Sequence, residues 1–236
     1  MSSDCARGRR AEAIAVTVRA DGGEPLSSAS IDVRVGELLA VVGASGAGKS
    51  TLLRVLAGDV PPTSGEVRIA GRDARLLRPR ERALLRAVLP QNASASSPST
   101  VREAVRFGRA HYGRVDQAAD SVVAEVLSAT GTAHLATRVC AELTVDQRSR
   151  VALARLLAQR APLLLLDEPV AALDPEVRAQ VLRALRDRTN RGDTVVLALT
   201  DLGIATEIAD RVAILEDGRV RPLDAAVPAP RVAGTA

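Results

Sequence analysis

One glycine-rich stretch of the chain combines the residue types that bind phosphate groups. The segment GASGAGKST, residues 43–51, fits the pattern GxxxxGK(S/T), follows an apolar run and leads into residues with helical spacing. Glycine amides approach a polyphosphate closely because no Cβ intervenes, and a helix N-terminus adds a favourable dipole. We expect Lys49 to reach the β and γ phosphates and the Ser50 hydroxyl to bind Mg²⁺. The predicted nucleotide-binding residues are Gly43, Ala44, Ser45, Gly46, Ala47, Gly48, Lys49, Ser50 and Thr51.

An acidic pair follows a second apolar run. The segment LLLLDEP puts Asp167 and Glu168 directly after residues 163–166, at the strand end where open α/β sheets hold their ligand groups. Asp167 suits Mg²⁺, and Glu168 suits a general base that aligns or deprotonates an attacking water. Two acids after leucines are a weak signal alone. Together with Lys49 they predict a site that binds and hydrolyses a polyphosphate.

Composition limits the class of protein. The chain has 236 residues, of which 47% are hydrophobic and 25% charged, values typical of a folded protein with one large domain or two small ones. Aromatic residues make up 1%, namely Phe107 and Tyr112. Base stacking on aromatic side chains is therefore nearly excluded, and we expect no nucleic-acid partner. The formal charge of +4 suits anionic partners without identifying one.

Cysteines and apolar runs bear on the location of the chain. Cys5 and Cys140 fit neither a metal-site spacing nor a disulfide framework, which favours a reducing compartment. No apolar run approaches the roughly 18 to 20 residues that span a bilayer, and the apolar stretch near the start is too short for a secretion signal. We therefore expect a cytosolic chain that relies on a partner for any membrane spans.

Alternating strand and helix patterns predict an α/β fold. We expect a mostly parallel sheet, an N-terminal antiparallel β portion and an inserted helical subdomain. Predicted strands lie at 13–19, 30–35, 38–42, 67–69, 163–166, 194–199 and 212–215, and the main predicted helices at 50–57, 101–108, 116–129, 147–159 and 175–191. The predicted units are a flexible N-terminus (1–10), a nucleotide-binding core (11–91 and 147–221), a helical subdomain (92–146) and a mobile tail (222–236).

Over about residues 11–221 the chain resembles the ATP-binding cassette family, the nucleotide-binding subunits of ABC transporters. The resemblance rests on GASGAGKST, the glutamine of VLPQ (Gln91), RVALARLLAQ before LLLLDEP, and ALDP, which contains Asp174. It implies a RecA-like P-loop core and a head-to-tail dimer that sandwiches two ATP molecules. It also implies that Gln91 binds Mg²⁺ and water and senses the membrane partner, and that Asp174 lies at the dimer interface. A narrower likeness, RAVLPQ followed by TVREAVRFGR, is to importers of haem, siderophores and cobalamin.

The family signature, LSGGQ or LSGGE, is altered in this chain. In a gap-free register from RVALAR it falls on residues 143–147, so Thr144, Val145, Asp146 and Gln147 occupy a loop that in the family clasps the γ-phosphate held by the opposite subunit. Val145 adds bulk and Asp146 adds negative charge near a polyanion. Two unit charges about 4 Å apart at a surface-like dielectric repel by roughly 4 kcal/mol before screening.

Two further departures from the family pattern concern the same nucleotide. The family histidine that contacts the γ-phosphate is replaced by Thr200 in LALTDLG, and the aromatic residue that stacks on adenine is missing, with Ala20 near its place. Two hypotheses remain: a competent ATPase that tolerates these changes, or a subunit that binds Mg·ATP and hydrolyses it poorly.

The predicted function is that of an ATP-binding subunit that couples binding and hydrolysis of Mg·ATP to solute import, with haem or an iron–siderophore as the candidate solute. Expected partners are a transmembrane permease, a second ATP-binding subunit of the same or another kind, and a solute-binding protein, at the cytoplasmic face of the cell membrane. The predicted metal ligands are Ser50, Gln91 and Asp167, and the predicted catalytic residues are Glu168, Gln91 and Thr200. The alternatives are a hydrolysis-impaired regulatory or mixed-dimer subunit and another P-loop enzyme such as a kinase or GTPase. The order of Gln91, LLLLDEP and ALDP and the lack of an NKxD motif argue against the last of these.

Overall fold

The N-terminal part of the chain forms an antiparallel sheet. The computed structural model describes residues 8–20, 23–91, 93, 98–113, 116–171 and 173–223. Four strands pair in the order β2-β1-β4-β5, and every neighbouring pair is antiparallel. Their bounds are β1 (Arg9–Ala20), β2 (Gly23–Arg34), β4 (Ser64–Ile69) and β5 (Arg72–Asp73).

A second sheet of six strands forms the centre of the molecule. Its order is β10-β9-β3-β8-β7-β6, and all neighbours are parallel except β10, which pairs antiparallel with β9. The bounds are β3 (Leu38–Val42), β6 (Ala87–Leu89), β7 (Leu163–Asp167), β8 (Thr194–Leu199), β9 (Arg211–Glu216) and β10 (Arg219–Pro222). The strands β3, β7 and β8 are buried along their whole length. This burial on both faces explains why the sequence shows them as nearly continuous apolar runs.

Helices connect the parallel strands, and several of them gather between β6 and β7. Within the described residues the α-helices are α1 (Lys49–Leu56), α2 (Pro79–Leu85), α3 (Val101–Phe107), α4 (Ala119–Ala129), α5 (Val145–Ala158), α6 (Pro175–Asn190) and α7 (Leu202–Ile208). Three of these, α3, α4 and α5, pack on one another and form the inserted helical region. The predicted fold class, a parallel core with an antiparallel N-terminal portion and inserted helices, is confirmed.

The two faces of the central sheet bury separate apolar clusters. Alternate residues of β3 point to opposite sides, with Leu38, Ala40 and Val42 on the face that packs against the helical region. Leu39 and Val41 pack instead with α1 and the antiparallel sheet. The position of the phosphate loop after β3 is therefore fixed by apolar packing on both faces.

The predicted flexible N-terminus and mobile tail are wrong at their boundaries, because residues 9, 10 and 222 belong to strands. Arg9 and Arg10, expected in a flexible N-terminus, belong to β1, where Arg9 pairs with Arg34 of β2. At the other end, Pro222 pairs with Ala213, because β10 adds an antiparallel edge strand to the core. Residues 1–7 and 224–236 lie outside the described residues.

A buried threonine ties the antiparallel sheet to the core, which gives a first testable prediction. The Thr194 hydroxyl accepts a hydrogen bond from the Gly36 amide at 3.0 Å and donates to the Arg34 carbonyl at 3.3 Å. Thr194→Val keeps the volume but leaves the Gly36 amide without its acceptor, so we expect the free energy of unfolding to fall by about 1–2 kcal/mol. Urea unfolding measures this change. Thr194→Ser, which keeps the hydroxyl, is the control, and an equal loss in both variants would contradict the prediction.

Candidate nucleotide-binding site

The predicted phosphate-loop, metal-binding and catalytic residues lie at one edge of the central sheet. The phosphate loop leaves the carboxyl end of β3, Thr200 follows β8, Glu168 follows β7, and Gln91 lies two residues after β6. Because β3, β8, β7 and β6 are adjacent and parallel, their carboxyl ends meet at the same edge. Open α/β sheets bind their ligands at this edge.

The phosphate loop has the backbone conformation that its glycines predict. Gly46 and Gly48 have φ angles of 82° and 100°, in the left-handed region that side chains disfavour. A Cβ at Gly48 would lie 2.2 Å from the Pro25 carbonyl oxygen, so glycine is required there for packing as well. Helix α1 begins at the next residue, Lys49, and its first amides point toward the loop. The exposed Ser50 hydroxyl lies in this first turn.

Lys49 is buried beneath the loop and lies next to Glu168 of the acidic pair. Its Nζ donates hydrogen bonds to the carbonyl oxygens of Gly43 at 2.7 Å and Ala44 at 3.1 Å. The same atom lies 3.6 Å from Oε1 of Glu168, and the two side chains are 7% and 8% exposed. The cation expected at the phosphates and the expected general base are therefore neighbours, as the function predicted from the sequence requires.

The acidic pair offers carboxylate oxygens that accept no hydrogen bond from the described residues. Within the described part of the chain, Oδ1 of Asp167 and Oε1 of Glu168 are buried without a hydrogen-bond partner, and the latter atom has only the ion pair with Lys49. The Glu168 amide donates to the Ala198 carbonyl of β8 at 3.0 Å, and its φ of 48° turns the chain away from the strand direction. A buried carboxylate oxygen costs free energy unless a cation or donor satisfies it, and Mg²⁺ takes one or two carboxylates together with phosphate oxygens. Asp167 and the Ser50 hydroxyl fit that donor set.

Two other predicted residues border the same edge without a described contact to it. Gln91 is exposed in the turn after β6, and Thr200 is exposed after β8. The residue after Thr200, Asp201, accepts a hydrogen bond from the Ile204 amide at 3.1 Å and caps α7. Their assigned roles toward Mg²⁺ and the γ-phosphate stay predictions.

The altered signature forms the N-terminus of α5. The Thr144 hydroxyl accepts from the Gln147 amide at 3.2 Å, while the Gln147 side-chain oxygen accepts from the Thr144 amide at 3.1 Å. This reciprocal capping box satisfies two amides of the first turn. Val145 is 69% exposed beside it. The TVDQ spacing predicts such a cap from sequence, a signal that the comparison with LSGGQ alone misses.

Asp146 is held by an arginine one turn further along α5. Its Oδ2 lies 2.7 Å from Nη2 of Arg150, and this i,i+4 spacing is also visible in the sequence. Asp174, predicted at a dimer interface, caps α6 by accepting from the Val177 amide at 3.0 Å. Its side chain is exposed, so an interface role stays a prediction.

The fold and this site define a P-loop ATP-binding cassette, and comparison with known proteins agrees. The ABC transporter family profile matches residues 26–171. The chain belongs to the ABC transporter family.

Curated relatives are similar over most of the chain. The chain is 52% identical over 202 residues to the hemin import ATP-binding protein HmuV of Streptomyces coelicolor, covering 84% of this chain and 72% of that protein. It is 47% identical to the hemin import ATP-binding protein HmuV of Thermobifida fusca, covering 83% and 69%. Identity is 41% to the cobalamin import ATP-binding protein BtuD of Halobacterium salinarum, covering 86% and 51%.

Solved structures share the fold. An ATP-binding cassette in a dimeric post-hydrolysis state, bound to ADP and Pi, matches with a TM-score of 0.82 at 26% identity, covering 91% of this chain and 99% of that one. A bacterial Atm1-family ABC exporter with ATP bound matches with a TM-score of 0.79 at 26% identity, covering 90% and 38%. The RecA-like core predicted from the resemblance is confirmed. Across the part of the chain that the structure describes, no helix has both the length and the apolarity that crossing a membrane requires.

Proposed function

We propose that the chain is the ATP-binding subunit of an importer for hemin or a related iron-containing solute, and that it hydrolyses Mg·ATP. The observation that carries this proposal is the contact of Lys49 with Glu168 at 3.6 Å beside Asp167, below a complete phosphate loop. The likeness to hemin import ATP-binding proteins supports the solute class.

The chain's own residues supply a positioning and charge-neutralising mechanism. Loop amides and the first turn of α1 bind the phosphates, and Lys49 turns from its two carbonyl acceptors toward them. Ser50 and Asp167 would hold Mg²⁺, which would supply neutralisation of the charge on the phosphate oxygens. Glu168 holds the attacking water and accepts its proton. Gln91 and Thr200 complete the proposed site from the ends of β6 and β8.

A partly apolar surface beside Gln91 suits the proposed permease partner. Phe107, at the end of α3, is 69% exposed. It borders Gly108, which lines a cavity of about 280 Å³ together with Leu89 and Gln159. Tyr112 is tied to the same region, because its hydroxyl donates to the Gln159 carbonyl at 3.4 Å. Exposed aromatic side chains beside a cavity are typical anchors for a partner.

The further partners follow from this function. A second ATP-binding subunit is proposed to place its signature over the nucleotide of this chain, and a solute-binding protein to deliver the solute to the permease. The proposed location is the cytoplasmic face of the cell membrane, held there by the permease.

The residues that replace the signature glycines provide a test of turnover. Val145→Gly and Asp146→Gly together remove an exposed apolar side chain and a carboxylate from the first turn of α5. We expect the turnover of Mg·ATP to rise by about tenfold, which corresponds to roughly 1.4 kcal/mol, because the bulk of Val145 and the part of the Asp146 charge that Arg150 does not offset are both removed. Steady-state phosphate release measures it. An unchanged rate would mean that these two residues do not limit hydrolysis.

A second candidate function is a nucleotide-binding subunit that closes a dimer with little turnover. The observation that favours it is the carboxylate of Asp146 in the first turn of α5, where the family has glycine. In a mixed dimer this altered signature would serve the nucleotide site of the partner chain.

Steady-state hydrolysis of Mg·ATP by the purified chain, alone and with its permease, separates the two functions. Glu168→Gln is the blank, and a nucleotide titration is run beside it. Turnover well above the blank supports the ATPase. Binding without turnover, also with the permease present, supports the regulatory subunit. Absence of nucleotide binding contradicts both.

A further inference from the structure

We propose that Arg150 is a positioning residue that makes the altered signature usable, because it neutralises Asp146 and draws its carboxylate back along α5. The inference rests on the proposed function, in which the N-terminus of α5 faces the nucleotide of the opposite subunit. It concerns the one signature position where this chain carries an added negative charge.

The ion pair holds the Asp146 carboxylate against the side of the helix. Oδ2 of Asp146 lies 2.7 Å from Nη2 of Arg150, and the side chains are 34% and 14% exposed. Val145, one residue earlier, is 69% exposed. The Asp146 side chain is therefore less exposed to solvent than Val145. It still belongs to the first turn of α5, where the helix dipole favours an acid.

Arg150 lies close to residues of two other helices. A Cβ at Gly131, after α4, would lie 3.6 Å from Nη1 of Arg150 and 3.1 Å from Oε1 of Gln180. Gln180 of α6 in turn donates to the Ser128 carbonyl of α4 at 3.2 Å. The guanidinium thus sits where α4, α5 and α6 meet. Because the Arg150 side chain is 14% exposed, it loses less entropy on pairing than a fully exposed arginine, so we expect the pair to contribute more than a typical surface salt bridge.

The backbone amides at the N-terminus of α5 explain why the ion pair of Asp146 and Arg150 matters for anion binding. The capping box uses the amides of Thr144 and Gln147. In the described contacts, the amides of Val145 and Asp146 are the donors of the first turn that stay free for an anion. An approaching phosphate meets these donors together with the Asp146 charge. With Arg150 in place that charge is offset, whereas without it the anion is repelled.

Dimerisation driven by Mg·ATP tests the inference. The full chain carrying Glu168→Gln, which blocks hydrolysis, is followed by sedimentation velocity across a titration of Mg·ATP. We expect Arg150→Gln to weaken the dimer by about tenfold, and Asp146→Asn added to it to restore dimerisation to within about twofold. The defect of Arg150→Gln should shrink as salt rises from about 0.05 to 0.5 M, because the repulsion is screened.

Control variants separate this role from a structural one. Arg183→Gln removes the same charge from an exposed position on α6 and should leave the dimer unchanged. Binding of Mg·ATP to each monomer, measured separately, should be unaffected. An equal loss from Arg150→Gln with or without Asp146→Asn would overturn the inference, as would no loss at all. If the Glu168→Gln chain binds Mg·ATP but forms no dimer, the inference is overturned while the nucleotide site of the proposed function stands. If this chain binds no Mg·ATP, both are contradicted.

Discussion

Glu168→Gln is expected to reduce Mg·ATP turnover by at least about 100-fold while nucleotide binding persists. A positioned general base typically contributes this much or more, and glutamine keeps the shape of the side chain but accepts no proton. Glu168 is the one acid of the described residues that lies within 4.0 Å of the Lys49 Nζ atom. Phosphate release and a nucleotide titration on the same preparation give the two quantities.

Binding by Glu168→Gln should become several-fold tighter rather than weaker. The Glu168 carboxylate lies 3.6 Å from the Lys49 Nζ, so it competes with a phosphate for that cation and also repels the polyanion. Glutamine removes both effects. Asp167→Asn is the matched comparison, because it should weaken binding of Mg·ATP by loss of a metal oxygen. Tighter binding by both variants, or residual turnover within tenfold of the unmodified chain, would contradict the roles given to the two acids.

The phosphate loop was predictable because its requirements are local. Its two glycines at positive φ and the helix that begins at Lys49 are fixed by consecutive residues, so the motif alone specifies the loop. The strands β3 and β8 were equally clear, with bounds that match the apolar runs, since both are buried on two faces.

Features that depend on distant parts of the chain were not predictable. The strand β6 has three residues and is specified by its pairing with β7, so no local pattern indicates it. The strand β10 forms because β9 presents an edge, although the segment around Pro222 has the composition of a tail. The contact between Lys49 and Glu168 likewise requires β3 and β7 to lie on either side of β8.

The signature region shows a third case, in which local signals exist but need a helix boundary to be interpreted. The capping pair of Thr144 and Gln147 and the ion pair of Asp146 and Arg150 have spacings of three and four residues. These spacings indicate contacts only if α5 begins at Val145. Alignment with the family motif assigns the residues to nucleotide binding, whereas the structure adds what they do within their own helix.

Gly48→Ala is expected to weaken nucleotide binding by at least about 100-fold, and Gly46→Ala by less than about tenfold. Both positions have positive φ, so an alanine at either carries a similar backbone strain of about 1–2 kcal/mol. A Cβ at position 46 meets no atom within 4 Å, whereas a Cβ at position 48 would lie 2.2 Å from the Pro25 carbonyl oxygen. The difference between the two variants therefore isolates the effect of the clash.

The clash at position 48 acts on nucleotide binding through the start of α1. Pro25 belongs to β2 of the antiparallel sheet and lies between Gly23 and Leu26, which both pair with β1, so we expect the loop to be the part that moves. The Gly48 carbonyl accepts the Leu52 amide at 2.9 Å in the first helical bond, and a shift there displaces Lys49 and the adjacent amides together. Nucleotide titration with a thermal melt of each variant measures the outcome. Equal binding by the two variants would mean that the loop moves freely against β2, and the preorganisation of the phosphate site would then have to come from α1 alone.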